Sequence, residues 1–411
     1  MRYFFILGSN PTLSLAELTA VFNDGNLILA QKDIAILETN QEINANIIKK
    51  IGGTIKFGII HSEIASFATK DILKFVAIFA KPEKSESKFN FGVSLYGKAK
   101  INTKVIAMEF KKMLKQSGVN SRWVISREPT LSSVVVEQNK LITKQGAEIV
   151  IIQFNKKFLL GKTLAVQPFK ELSFRDYGRP ARDDRSGMLP PKLAQIMINL
   201  SGANNDSVIL DPFCGSGTIL TEAMLMGYTH IIGTDISNKA ITNTKTNIDW
   251  TKNNFKLQIT NYKLLNADAT QISKHLAPDS VDAIITEPYL GPQRGRIEIE
   301  KIKSELEKLY SKSLEEFKKI LKPGGRIVMV WPVFQRAHLS LRGSISDRNN
   351  LTNTNIAGAL HPNLNNFHII NPIPTSLQKN IFVKLTNRDT IIYGREQQKV
   401  WREIVVLERE K

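Results

Sequence analysis

The sequence predicts an α/β chain in which a mostly parallel, doubly wound sheet fills the C-terminal half and smaller α+β modules precede it. Three observations carry this. From residue 208 onward, short apolar runs alternate with helical patterns, the rhythm of successive strand–helix–strand units. The first run, Val208–Leu210, passes through Asp211 into a glycine turn at Gly215 and Gly217 and then into a helix rich in Leu, Ala and Met. Eighteen residues past Gly217, a second run, His230–Gly233, leads to Asp235, an acidic residue at the distance that suits hydrogen bonding to ribose hydroxyls in a Rossmann-type crevice.

The N-terminal elements come in this order. Residues 2–7 form an apolar strand, and Ser14–Phe22 a helix with Ser14 placed as its N-cap. Asn26–Leu37 alternates like a strand, Ile43–Ile51 is helical up to the Gly52-Gly53 stop, Ile55–Ile60 is a strand and Ile72–Ala80 a helix. These elements predict an α+β domain over residues 1–88 with no catalytic constellation. Its one histidine, His61, reads as structural. Lys81–Lys88 is polar, holds a proline and reads as a linker or exposed loop. A second α+β module is expected over 89–166. Its strands are Phe89–Tyr96, Trp123–Ser126 and Ser132–Asn139, its helix Thr103–Gln116, and Glu148–Phe154 and Lys157–Lys162 form a hairpin around Asn155-Lys156. Residues 167–185 carry two prolines, a glycine and four arginines and read as a linker. Residues 186–411 form the large domain. It opens on Met188–Leu200, where Pro190 and Pro191 suit a first helical turn and the apolar positions share a face.

Within the large domain the third strand, Tyr262–Asn266, ends at Asp268, and the fourth, Val281–Ile285, ends at Thr286-Glu-Pro-Tyr-Leu-Gly291. A long charged helix, Glu300–Leu321, leads through Lys322-Pro-Gly-Gly325 to a fifth strand, Arg326–Trp331. Residues 338–365 read as loop, and Ile381–Leu385, Asp389–Gly394 and Val400–Leu407 as strands closing the sheet with a terminal hairpin. The candidate ligand residues at 211–217, 235, 268 and 287 thus fall at the C-terminal ends of successive parallel strands, where open α/β sheets bind ligands.

Composition narrows the partners. The chain of 411 residues is 42% hydrophobic and 23% charged, as expected of a soluble globular protein of two or three domains. No apolar run reaches the length of a membrane span, and the apolar start at Met1–Gly8 is too short for a signal peptide. The single cysteine, Cys214, excludes an internal disulfide framework and suits a reducing cytoplasm; its neighbours make it a small turn residue. Six scattered histidines and one cysteine offer no metal-ligand spacing. The net charge of +18 is uneven: residues 90–180 hold 16 Lys/Arg against 6 Asp/Glu, whereas residues 1–89 hold 10 against 9. A basic module of this kind points to a polyanion, nucleic acid first, although a solvated lysine-rich surface would give the same count. Lys98, Lys100, Arg122, Arg127, Lys140 and Lys162 are its candidate phosphate contacts, joined by Arg179 and Arg182 of the linker.

The string Asp211-Pro-Phe-Cys-Gly-Ser-Gly217 resembles motif I of S-adenosylmethionine-dependent methyltransferases, and Met188–Leu200 resembles the motif X helix of amino-methyltransferases. The strand–helix–strand–strand–hairpin order of residues 90–166 is similar to a THUMP domain, an RNA-binding module. Together, residues 90–405 resemble the family that joins a THUMP domain to an amino-methyltransferase domain, and within it the archaeal and eukaryotic tRNA guanine-N2 methyltransferases acting at guanosine 10. The resemblance implies a seven-stranded Rossmann-like class I methyltransferase domain with an antiparallel C-terminal hairpin. It also implies a ferredoxin-like N-terminal domain, S-adenosylmethionine as cofactor and tRNA as partner.

By this likeness Asp211, Cys214, Gly215 and Gly217 would hold the methionine portion, Asp235 the ribose hydroxyls and Asp268 the adenine amino group, with Pro212, Thr218, Ile236 and Ala269 also in the cofactor site. Glu287 and the Pro288 carbonyl would orient the target nitrogen and Tyr289 would stack on its base. The motif departs from the family's Asp-Pro-Pro-Tyr: Glu287 stands for Asp, one proline follows instead of two, and Tyr289 comes one place early. Three alternatives stay open: another guanosine in tRNA or ribosomal RNA, an amino group in DNA, or a non-catalytic RNA-binding protein that keeps the cofactor fold. Some eukaryotic relatives work with a small helper protein, and nothing in these residues reports on that need.

Overall fold

The computed structural model describes residues 1–65, 68–79, 88–99, 101–182, 188–292, 298–335, 356–394, 398 and 400–410. The chain divides into two units. One comprises Met1–Leu18, Phe22–Phe169 and Ser376–Phe382, the other Thr19–Val21, Lys170–Thr375 and Val383–Lys411.

The first unit contains β1 (Arg2–Leu7), α1 (Pro11–Val21), β2 (Asn26–Gln31), β3 (Ile34–Glu38), a 3-10 turn at Ala45–Lys49, β4 (Thr54–Ile64) and α2 (Thr69–Phe79). It continues with β5 (Phe89–Tyr96), α3 (Thr103–Gln116), β6 (Ser121–Trp123), α4 (Ser133–Gln138), β7 (Gly146–Phe154) and β8 (Lys157–Val166). All eight strands belong to one sheet, in the order β2-β3-β1-β4-β8-β7-β5-β6. The expected boundary at residue 88 therefore does not separate two units: β4 pairs antiparallel with β8 from Lys56↔Val166 to Ile64↔Phe158, and the sheet runs through.

A buried polar knot ties the halves at that seam. Lys56 of β4 donates from Nζ to the Leu131 carbonyl and to Glu148 Oε1 of β7, both at 2.8 Å. The hydroxyls of Ser94 on β5 and Thr163 on β8 donate to the two Glu148 oxygens at 2.6 Å. All four side chains are buried, so each charge depends on its partner for solvation.

Several local expectations are corrected here. The helix expected from Ser14 begins at Pro11, with Asn10 as its cap. The single strand expected over Asn26–Leu37 is the hairpin β2–β3. Ser132–Asn139, whose three valines suggest a strand, is helix α4, because the Ser132 hydroxyl caps it at Val135 N–H and Val136 packs against Leu131, Leu141 and Val166. The second strand of this module is Ser121–Trp123 rather than Trp123–Ser126.

The second unit begins in the segment read as a linker, where α5 (Phe169–Tyr177) forms instead. Its Arg175 makes two hydrogen bonds to Glu222, at 2.7 and 3.1 Å, a buried interaction invisible to helix periodicity. Next come α6 (Pro191–Leu200), β9 (Val208–Asp211), α7 (Thr218–Met226), β10 (His230–Asp235), α8 (Asn238–Phe255), β11 (Tyr262–Asn266), a 3-10 turn at Ala269–Lys274, β12 (Val281–Thr286), α9 (Ile299–Ile320) and β13 (Leu321–Gln335). The unit closes with β14 (Ile356–Gly358), β15 (Phe367–Ile369), β16 (Ile391–Tyr393) and β17 (Val400–Arg409), while α10 (Thr375–Gln378) belongs from Ser376 onward to the first unit.

The main path of its sheet has seven strands, β11-β10-β9-β12-β13-β17-β15, with β14 and β16 pairing off it. The first five are parallel, and β17 runs antiparallel to β13. This is the Rossmann-like arrangement expected of a class I methyltransferase. Ile381–Leu385, expected as a strand, is not one. The edge strand is β15, whose three residues are too short to show a period. Most of the expected loop 338–365 lies outside the described residues.

Replacing Lys56 by Ala is expected to lower the stability of the first unit by about 3–5 kcal/mol, because Glu148 is left buried without its counter-charge. Urea unfolding followed by circular dichroism should show this. The paired change Lys56→Met with Glu148→Leu should cost less than Lys56→Ala alone.

Candidate active site

Strand order reverses beside β9: β10 and β11 lie on one side, β12 and β13 on the other. A crevice opens at such a point beyond the carboxyl ends of the strands, and the candidate residues gather there. At the end of β9, Asp211 is buried, and its Oδ1 accepts from Phe213 N–H at 3.2 Å and from the Thr286 hydroxyl, at the end of β12, at 2.7 Å. The chain then turns through Gly215 (φ +54°) and Gly217 (φ +84°) into α7.

The two glycines do different work. A Cβ built at Gly215 would meet nothing within 4 Å, whereas one at Gly217 would press to 2.8 Å of Thr244 on α8. Gly215 borders the cavity, and Gly217, expected to touch the ligand, instead lets α8 pack closely. It also leaves α7 without a side-chain cap, so first-turn N–H groups remain available to a ligand. From α8, the Thr244 hydroxyl donates to the Gly215 carbonyl and Asn247 Nδ2 to the Ser216 carbonyl, both at 2.8 Å. Cys214 is buried with its sulfur 3.6 Å from the Thr244 hydroxyl oxygen. Burial pushes its thiol up, away from the thiolate that a nucleophile needs.

Asp235 holds the loop from the other side: Oδ2 accepts from Gly215 N–H at 3.0 Å and Oδ1 from Ser237 N–H at 2.8 Å. Each oxygen keeps a lone pair. Asp268 Oδ1 accepts from both the N–H and the hydroxyl of Thr270 at 2.8 Å. Pro212, Thr218, Ile236 and Ala269 join these residues around one cavity of about 680 Å³, and Ile236 is 73% exposed on its rim. The volume lies in the range of small-molecule and cofactor sites.

Glu287, Pro288 and Tyr289 line the same cavity, just after β12. Tyr289 is 59% exposed, its carbonyl fixed by the buried Tyr310 hydroxyl of α9 at 2.8 Å. Glu287 is ion-paired to Arg402 of β17 through Oε1 and Nε. Neither Arg402 nor Tyr310 was singled out by the sequence, since both lie more than twenty positions away in runs that read as ordinary strand and helix. Burial, then the repulsion of Asp235 and Glu287, raises Asp211 from 3.8 to about 7, against the opposing hydrogen bonds from Thr286 and Phe213. A site of converging carboxylates favours a cationic ligand.

Of the candidate phosphate contacts, Lys98, Arg122, Arg127 and Lys140 are exposed and Lys162 is half-buried on β8; Lys100 lies outside the described residues. Arg179 is corrected: it is buried and donates from Nη1 to the Thr218 hydroxyl, so it braces the first turn of α7 and is closed to RNA. Arg182 is exposed, stands 5.5 Å over the Tyr177 ring and lines the cavity. Among the described residues, no group of three or more His, Cys, Asp or Glu could hold a metal ion, and no helix is long and apolar enough to cross a membrane.

Comparison with known proteins agrees with this geometry. A family model described as RMKL-like, methyltransferase domain, matches residues 179–360, and one described as DNA methylase matches residues 16–246. The tRNA (guanine(10)-N2)-dimethyltransferase of Methanothermobacter thermautotrophicus is 32% identical over 225 residues, 54% of this chain and 61% of that protein. The chain thus spans less than two thirds of that relative's length. The enzyme of the same name from Pyrococcus abyssi is 24% identical over 81% of this chain and 88% of its own. The crystal structure of TrmN from Thermus thermophilus, 18% identical, superposes with a TM-score of 0.52 and covers 100% of both chains, a likeness of fold alone.

The raised Asp211 carries a pH prediction. A folded-state value of about 7 against an ordinary 3.8 means that the ionised carboxylate opposes folding. The stability gained from its neutral form is complete below about pH 4 and lost as pH rises through 7, by roughly 4 kcal/mol at most. Asp211→Asn, which keeps the oxygen acceptor, should therefore melt above the ligand-free wild type at pH 8. The gap should close as the pH falls towards 4, as scanning fluorimetry across pH would show.

Proposed function

We propose that this chain, which belongs to the methylase family whose model spans residues 16–246, transfers a methyl group from S-adenosylmethionine to the exocyclic N2 of a guanosine in tRNA. Guanosine 10 is the position suggested by the names of its relatives. The observation that carries this reading is the single cavity onto which Asp211, Asp235, Asp268 and Glu287 converge from the ends of β9, β10, β11 and β12.

The residues fit the cofactor. Open space above Gly215 and the uncapped start of α7 suit its carboxylate end, and the acidic wall at Asp211 suits its amino group and sulfonium. Asp235 keeps acceptor capacity for ribose hydroxyls, and Asp268 for the adenine amine. When bound, S-adenosylmethionine supplies a methyl group activated by its positive sulfur.

The chemistry at the acceptor end comes from the chain's own groups. An exocyclic amine is a poor nucleophile because its lone pair is delocalised into the ring. Glu287 and the Pro288 carbonyl accept its two N–H bonds, which turns the lone pair towards the methyl group and holds it there. As the methyl passed from sulfur to N2, S-adenosylhomocysteine would be left, and the Glu287 carboxylate would stabilise the positive charge on N2 until its surplus proton passed to water. Tyr289, exposed at the rim, stacks on a base that has left its helix. The first unit, in which a THUMP-like module spans residues 89–166, docks the RNA through Lys98, Arg122, Arg127 and Lys140. The reading extends to a cytoplasmic location, in line with the single cysteine.

The test is nucleoside mass spectrometry after incubation with labelled S-adenosylmethionine and either total tRNA or DNA. Labelled N2-methylguanosine or its dimethyl form in tRNA is expected, with the rate lowered on the order of 10²–10³-fold by Glu287→Ala. Labelled N6-methyladenine in DNA would replace the reading with the DNA activity that the description of the second family model names. For docking, Arg122→Ala and Arg127→Ala should each weaken tRNA binding and lower the slope of log affinity against log salt by about 0.7–0.9.

A further inference from the structure

Glu287 reaches across the sheet. It lies just after β12, while Arg402 lies on β17, two strands away with β13 between them. Strands lie about 4.8 Å apart, so the pair closes a gap of roughly 10 Å. Arg402 Nε donates to Glu287 Oε1, and Nη2 stands 3.5 Å from Oε2. The side chains are only 13% and 11% exposed, and of the two only Glu287 borders the cavity. The other ionisable groups nearby are Asp211 at the end of β9, Tyr310 on α9 and, beside Arg402, Tyr393 on β16. Asp211 repels a negative Glu287. Arg182 and Lys239 also line the cavity, and the cation in ion-pair contact with Glu287 is Arg402.

We propose that Arg402 is a positioning residue of the transfer reaction: its guanidinium fixes the Glu287 carboxylate at the cavity wall. This rests on the methyl-transfer reading above. It also accounts for the departure from the family's aspartate. Aspartate is shorter by one methylene and would fall short of a guanidinium two strands away, so the glutamate and the arginine act as a matched pair. An ionised carboxylate only accepts hydrogen bonds, and it can stabilise positive charge on the acceptor nitrogen. Without Arg402 the Glu287 side chain loses the contact that holds it at the cavity wall and the counter-charge beside it.

The test uses two cofactor analogues that need no RNA. Sinefungin carries an amine where the transferable methyl sits, and S-adenosylhomocysteine carries nothing there. The ratio of their affinities therefore reports the charge at the acceptor end. Calorimetry at a single pH should show a ratio that favours sinefungin in the wild type. In Arg402→Gln that ratio should fall about tenfold, equivalent to about 1.4 kcal/mol. Arg402→Lys should recover part of the ratio. Glu287→Asp should behave like Arg402→Gln although it restores the usual family residue. S-adenosylhomocysteine binding, unchanged in all three variants, shows that the cofactor site is intact.

A wild-type ratio in Arg402→Gln would overturn the proposal, as would a Glu287→Asp variant that matches the wild type. If the analogues behave as expected while the wild type labels no tRNA, the assigned methyl acceptor is wrong and the role of Arg402 stands.

Discussion

The order of five parallel strands governs where the cavity lies and which residues can reach it. Because β9 is flanked by β10 on one side and β12 on the other, the connections leaving it diverge and a crevice opens at its carboxyl end. Asp211 and Thr286, the last residues of these neighbouring strands, close its floor with a 2.7 Å hydrogen bond. The acidic residues that line the cavity all sit at strand ends or in the loops just beyond them. The helices position these loops: α8 holds the glycine turn through Thr244 and Asn247, and α9 holds the Tyr289 carbonyl through Tyr310.

Electrostatics divides the site in two. At Asp211 the cost of burial is barely offset, and the carboxylate lies near the point of taking a proton. At Glu287, which lines the same cavity, a guanidinium offsets it. Two acidic groups around one cavity therefore have different surroundings, and an arginine is ion-paired to one of them. That division suits a site which accommodates a cation at one end and orients a neutral amine at the other.

The cavity residues that the sequence exposed share one property: they sit at or just after strand ends, in short strings rich in Gly, Pro and Asp. Local chemistry marks such strings, and Asp211, Gly215, Asp235, Asp268 and Glu287 were all legible for that reason. Arg402 and Tyr310 were not, because their partners are joined to them only by the fold. Arg179 shows the reverse error. An arginine in a proline-rich segment reads as solvated, yet helix α5 just before it turns this segment onto α7, and the guanidinium is buried against Thr218. Helix α4 was misread for a related reason. Three valines predict a strand, and a serine cap together with one buried valine decided otherwise. The joined sheet of the first unit was hidden as well, since its seam pairs residues that share no local pattern.

That seam affects synthesis. Strand β4 emerges from the ribosome roughly a hundred residues before β8, its partner along most of its length. At typical elongation rates of about 5–20 residues per second, its backbone edge waits some seconds for that partner. Meanwhile Lys56 has no Glu148 to meet. A nascent chain in this state offers an unpaired strand to any other extended segment nearby. The eight-stranded sheet of the first unit thus completes its pairing late, only once residue 166 has cleared the exit tunnel.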